Sequence, residues 1–209
     1  MCQFSKGHSP HKYSSQMDKV LNSLKKGQGI LIGDKESRED EVDFVFSAYY
    51  STPELVNISI THAKGLLCVA MSQNWTAQLK IPRAPYFNGP TAFCLSLDAK
   101  EGITSGISAY DRSLSIKLLS DKSRNFEVDF ISPGHIFPVE AHAHGLKSRH
   151  GHTEAVASLC EAAELPPVGA MCEILEEDGS PLRPKNISSH PYWSQYPFIS
   201  IEELLTYLT

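Results

Sequence analysis

The chain has 209 residues, 41% of them hydrophobic and 21% charged, with a formal net charge of −5. This is an ordinary globular composition, and the absence of a basic block argues against a nucleic-acid footprint. No run approaches the roughly 18–20 apolar residues of a membrane span, and the segment from Met1 to Pro10 lacks the apolar core of a signal peptide.

Residues 1–12 read as a flexible N-terminal arm and 13–209 as a single catalytic domain. Met17, Val20, Leu21 and Leu24 follow helical spacing, and Gly27 can end that helix. Ile30 to Ile32 reads as a buried strand, 33–41 as a polar loop, and Phe44 to Ala48 as a second strand. Thr52 and Pro53 mark a helix start, as cap and first helical residue. Leu66 to Met71, Ala92 to Leu97 and Ala170 to Leu175 are apolar and strand-like. Ser108 to Asp111 has capping-box spacing before a helix running to about Leu119, and Ser200 to Glu203 repeats the device near the C-terminus. A further helix spans about Thr153 to Ala163, and Glu177-Asp178-Gly179 is a tight turn. Five widely spaced cysteines (Cys2, Cys68, Cys94, Cys160, Cys172) form no C-x-x-C pair. A reducing cytoplasm is their simplest home. The pattern predicts an α+β or α/β domain with a mixed β-sheet flanked by helices.

Three constellations could carry chemistry. Asp34 to Asp43 holds six carboxylates in ten residues, a donor set suited to Mg²⁺, and crowded carboxylates raise one another's pKa. The rival reading is a solvated loop. Arg149-His150-Gly151-His152-Thr153-Glu154 places an arginine, a glycine turn and a threonine at a helix start, a plausible phosphate cradle. Its rivals are a histidine-rich surface loop and a zinc site drawn from His142, His144, His150 and His152. Gly102 to Arg112 is a weaker anion-binding turn. Cys68 in an apolar strand reads first as packing. Glu173 in another apolar strand needs a partner, so it is paired, metal-linked or catalytic.

Read together, these segments resemble the 3,4-dihydroxy-2-butanone 4-phosphate synthase family of riboflavin biosynthesis. The likeness runs in order along nearly the whole chain. It passes through Asp34-x-x-x-Arg38-Glu39-x-Glu41-x-Asp43, Gly65-Leu66-Leu67-Cys68, Thr91-Ala92-Phe93 and Thr104 to Arg112. It continues through Pro133-Gly134-His135, Arg149 to Ala155, Cys172-Glu173-Ile174 and Ser200 to Leu204.

The resemblance implies an α+β homodimer with active sites at the subunit interface. It implies a lyase that converts D-ribulose 5-phosphate to 3,4-dihydroxy-2-butanone 4-phosphate and formate, with Mg²⁺ or Mn²⁺. Carried over by position, Glu39 and His152 bind the metal. Arg38, Glu39, Asp43 and the residues Arg149, His150, Gly151, His152 and Thr153 hold substrate. Arg149 and Thr153 face its phosphate, with Thr104 and Ser105 assisting. His135, Glu173, Glu41, Asp43 and Cys68 serve catalysis. Some family members continue into a GTP cyclohydrolase II, for which this chain has no room.

The sequence departs from the family pattern at several places. Asp40 and Val42 stand where asparagine and glycine are usual, and valine tolerates positive φ poorly, so the acidic loop is expected to close differently. Thr61-His62-Ala63-Lys64, Ser132, Tyr110 and His142 to Gly145 also differ, and the 81–91 loop is short. These departures leave two alternatives: a paralogue converting a related sugar phosphate in a secondary pathway, and a catalytically inactive binding homologue.

Overall fold

The computed structural model describes residues 10–85 and 89–208. Pro10 already opens the first helix, so the arm expected over 1–12 reaches into α1; its first nine residues lie outside the described ones. In chain order the elements begin α1 (Pro10–Lys25), β1 (Ile30–Gly33), β2 (Val42–Ser47), α2 (Pro53–Ile58), β3 (Cys68–Met71), α3 (Gln73–Leu79), β4 (Ala92–Phe93) and β5 (Leu97–Ala99). They continue with α4 (Ala109–Leu119), α5 (Phe126–Asp129), β6 (Phe130–Glu140), α6 (His152–Ala162), β7 (Val168–Glu173), β8 (Phe198–Ser200) and α7 (Ile201–Leu208).

The strands form one mixed sheet in the order β4-β6-β3-β7-β2-β1-β8, with β5 also paired to β6. β1/β8 and β3/β6 are parallel; the other pairs are antiparallel. Both faces are covered, which is why β1, β2, β3 and most of β7 read as unbroken buried runs. Alternate residues divide between the faces. Leu31, Phe44, Phe46, Val69 and Cys172 pack with α2, α4 and Trp193. Ile30, Ile32, Val45, Cys68 and Met171 pack with α1, α6 and α7.

Local signals act as the residue types dictate. Thr52 Oγ1 accepts the Leu55 N–H, Ser108 Oγ accepts that of Asp111, and Ser200 and Glu203 bond reciprocally across the first turn of α7. Several elements differ from the expectation. The Ala92–Leu97 strand is two short strands, and α3, α5 and β8 were not expected from sequence. β6, the longest strand at 11 residues, contains Pro133, Gly134 and Pro138, which mask it as a loop.

Phe44 joins this scaffold to the acidic segment beside it. Its ring lies 5.4 Å from those of both Trp193 and Tyr196, and a Cβ on Gly29 would meet it at 2.2 Å. Phe44→Ala should therefore lower the unfolding free energy by about 3–5 kcal/mol in equilibrium urea denaturation.

Candidate active site

The acidic segment is the loop of the β1–β2 hairpin, entered at Gly33 and left at Val42, which pair across the ladder. Its form is set by Asp34, which is buried. One carboxylate oxygen accepts the Glu41 N–H at 3.1 Å. The other accepts Glu39 N–H at 3.1 Å and the Arg38 guanidinium at 2.7 Å. Arg38 also grips Glu39. From outside the hairpin, Arg183 donates to the carbonyls of Glu39 and Asp40 at 3.1 and 2.8 Å. The positive φ of this loop falls at Asp40 (54°), a residue type that tolerates the left-handed region. Val42 is an ordinary buried strand residue, so its replacement of glycine strains nothing.

The strand period then decides what meets what. Asp43 shares a face with Val45, and Asp43 is the cross-strand partner of Glu173. Cys68 and Met171 pair next along the sheet on that same face. The N-terminus of α6 packs there and delivers His152. A cavity of about 240 Å³ collects Arg38, Glu39, Glu41, Asp43 and Cys68 with Arg149, His152, Thr153 and Glu173. Nine of the residues singled out from sequence thus line one space. The Glu173 carboxylate accepts the Leu66 N–H at 2.9 Å, and a Cβ on Gly65 would come within 2.7 Å of it.

Electrostatics in this space are strained by design of the sheet. Burial, opposed by His152 and reinforced by Glu173, Glu41 and Glu39, pushes the Asp43 carboxyl up to about 7. Burial likewise raises Glu41. For His152, burial alone would favour the neutral ring, but Asp43, Glu39, Asp34 and Glu41 outweigh it and raise the imidazole to about 9. Its bond to His152, ahead of the Arg38 charge, holds Glu39 below the usual range. Burial pushes the Cys68 thiol up, which keeps it protonated and removes it as a thiolate nucleophile.

Asp43 Oδ1 and His152 Nε2 are buried without a hydrogen-bond partner. Donor atoms of Glu41, Asp43 and His152 lie within 4.8 Å of one another, as do those of Asp34, Glu39 and His152. Such orphaned donors fit a hard divalent cation. Asp34 is already saturated by the loop, which leaves Glu39 with His152, and Glu41 and Asp43 with His152, as the groups that could hold an ion. This keeps the expected Glu39–His152 pair, whose side chains approach to 3.5 Å, and adds two carboxylates. The four-histidine zinc alternative is not assembled: His152 is the one histidine in the metal-capable groups among the described residues. His142 and His144 pair with each other instead, and His150 is exposed.

Beside the carboxylates, Arg149 donates to Glu154 at 2.6 Å, and Glu154 also accepts the His142 N–H. Gly151 caps α6 without a side-chain acceptor for the first-turn N–H groups, and a Cβ there would meet Arg149 at 2.4 Å.

His135, Thr104 and Ser105 do not line this cavity. Thr104 is tied to Asp111 through both its N–H and its hydroxyl. His135 faces Asp98, with its N–H and ring Nδ1 at 2.9 and 2.7 Å from that carboxylate. Sequence reading gave no role to Asp98 or Arg183, and gave Asp34 only a share in the acidic donor set. Asp98 carries the signal that marked Glu173, a carboxylate inside an apolar strand. Arg183 carries none, because its partners are backbone carbonyls far away in sequence.

The 3,4-dihydroxy-2-butanone 4-phosphate synthase family model matches residues 18–207. The chain belongs to that family. A Helicobacter pylori 3,4-dihydroxy-2-butanone 4-phosphate synthase is 43% identical over 171 residues, 80% of this chain and 49% of that protein. One from Pseudoalteromonas translucida is 36% identical, covering 93% of this chain and 90% of its own length. The chain thus spans about half the length of the first relative and nearly all of the second. A crystal structure of the Candida albicans synthase superposes with a TM-score of 0.85 at 33% identity, covering 92% and 97% of the two chains. Another, of a synthase in complex with two magnesium ions, gives 0.84 at 30% identity, covering 92% and 95%.

Gly106 separates backbone strain from steric conflict. Its φ is +91°, and a Cβ would lie 2.2 Å from Asp98 Oδ2 and 2.7 Å from His135 Nδ1. Gly179 has φ +83° with nothing within 4 Å. Gly179→Ala should cost about 1–2 kcal/mol in thermal or urea unfolding, the left-handed penalty alone. Gly106→Ala should cost clearly more.

Proposed function

We propose that the chain converts D-ribulose 5-phosphate to 3,4-dihydroxy-2-butanone 4-phosphate and formate, the riboflavin-pathway reaction, with Mg²⁺ or Mn²⁺ bound. The observation that carries this reading is one cavity that gathers crowded carboxylates and a buried imidazole with Arg149 and Thr153. Arg149, Thr153 and the uncapped start of α6 suit a phosphate. Gly151 leaves room for the guanidinium.

With the phosphate anchored, the sugar carbons reach toward Glu41, Asp43 and Glu173. A carboxyl near 7 suits proton removal next to a ketone at neutral pH. Glu41, also raised, and Glu173 are further groups to accept or return protons during dehydration. Arg38 holds Glu39 and faces the same space. Cys68, as a thiol, forms a neutral wall able to donate a weak hydrogen bond. A divalent cation held by Glu39, His152 and the neighbouring carboxylates would supply polarisation of the ketone and stabilisation of enediolate charge. The skeletal shift that expels formate needs a substrate held in one geometry, which a small cavity favours.

We further propose a homodimer with composite sites. His135 stands outside its own chain's cavity, and Leu66, Ile107, Tyr110, Val128 and Ile131 are exposed. Large apolar side chains exposed together mark an interface. A second copy docked there would bring the partner subunit's His135 toward the cavity, with Thr104 and Ser105 beside it. Free, buried Cys68, Cys94, Cys160 and Cys172 support a reducing cytoplasm.

Incubation with ribulose 5-phosphate and Mg²⁺, followed by NMR, should give formate and a four-carbon ketose phosphate. A five-carbon product without formate would select the paralogue, and binding without chemical change the inactive homologue. Glu39→Gln and His152→Ala should abolish metal-dependent turnover and weaken Mn²⁺ binding while staying folded. In sedimentation velocity the wild type should run as a dimer and Ile107→Glu should shift toward monomer.

A further inference from the structure

We propose that Asp98 is the positioning residue for His135: it fixes the imidazole in the tautomer with hydrogen on Nδ1 and leaves Nε2 as the proton-accepting atom. The inference rests on the proposed lyase reaction and deepens it.

The carboxylate meets His135 twice. Oδ1 accepts the backbone N–H at 2.9 Å and Oδ2 lies 2.7 Å from Nδ1. A carboxylate only accepts hydrogen bonds, so the ring nitrogen facing it carries the hydrogen and the other keeps its lone pair. Asp98 is 2% exposed, whereas the His135 side chain is 40% exposed. The pair is therefore anchored at its acid end and open at its imidazole end.

The surrounding chain serves this contact. The pairing of β5 with β6 shifts register between Leu97 and Asp98, from Ile136 to Ile131. The intervening residues of β6 fold back over β5, with Ser132 Oγ donating to the Ser96 carbonyl and Gly134 N–H to Ser96 Oγ. A Cβ on Gly134 would come within 2.1 Å of the Leu97 backbone, so the fold-back needs glycine. From the other side, Asp111 holds the N–H groups of Thr104 and Gly106, which lays Gly106 against both Asp98 and His135. These contacts over-determine the ring in two directions. Imidazoles that move protons are commonly oriented this way by an acceptor on the far nitrogen.

Asp98→Asn tests the role. The asparagine oxygen can still accept the His135 N–H, which turns its NH₂ toward Nδ1 and favours hydrogen on Nε2. The measurement is a long-range ¹H–¹⁵N spectrum at mildly alkaline pH, with His135 assigned by difference from His135→Gln. The wild type should show the Nδ1–H form and Asp98→Asn the Nε2–H form. Turnover of ribulose 5-phosphate should fall about 10²-fold or more in kcat, with KM changed less than about twofold, because the binding cavity is untouched.

An Nε2–H tautomer in the wild type would overturn the proposal, and that measurement stands even if the variant does not fold. So would an unchanged tautomer in Asp98→Asn, or an inverted one with kcat intact. A wild type without turnover on ribulose 5-phosphate would sink the functional reading instead, while the tautomer spectra still decide the positioning by Asp98.

Discussion

Asp43 and Glu173 face each other across neighbouring strands, in a sheet covered on both sides. Like charges directly opposite destabilise a ladder, and burial makes Asp43 harder to ionise. Much of the local architecture answers that repulsion. The start of α6 brings His152 over the pair, Gly65 lets the Leu66 N–H reach Glu173, and Arg38 draws Glu39 aside. What is left over, a protonatable carboxyl near neutrality and two unpartnered ligand atoms, is the reactive character of the site. The same crowding that costs stability in the free chain is what a divalent cation would relieve.

Much of this was legible in sequence because the decisive signals are local. Helical spacing, the Thr52, Ser108 and Ser200 caps and the apolar runs at Ile30 and Cys68 each act within a few residues, and the structure follows them. The acidic loop was ambiguous by composition, since a solvated turn has the same charges. Its meaning came from register with the Arg149–Glu154 segment, which the sheet and α6 bring beside it. β6 escaped notice because two prolines and a glycine mimic a loop, while the long strand is held by pairing on both sides that no short window contains. Separation of His135 from the cavity is a tertiary fact with no local trace.

The departures from the family pattern divide by the same logic. Val42 looked like the most disruptive, yet the left-handed residue is Asp40, two positions earlier in the hairpin loop, where a short polar side chain is acceptable. The valine simply extends β2 by a buried residue. Lys64, by contrast, does take a positive φ of 72° at the end of the turn 59–63, next to Gly65 and hence next to the Glu173 contact. Substitution at a turn matters according to which residue bears the unusual dihedral, not according to which letter differs.

Arg183 gives the hairpin loop an external hold. Its guanidinium ties the carbonyls of Glu39 and Asp40 to a segment that packs through Trp193 and Tyr196 onto Phe44. An eight-residue polar loop left alone would sample many shapes and would have to be ordered by its ligand. Here the ordering is completed when the chain folds, so an arriving ligand meets groups already in place and binds with less loss of conformational entropy. The loop's readiness is thus a property of the C-terminal half of the molecule, and a change near residue 190 should be felt as weaker ligand capture rather than as altered chemistry.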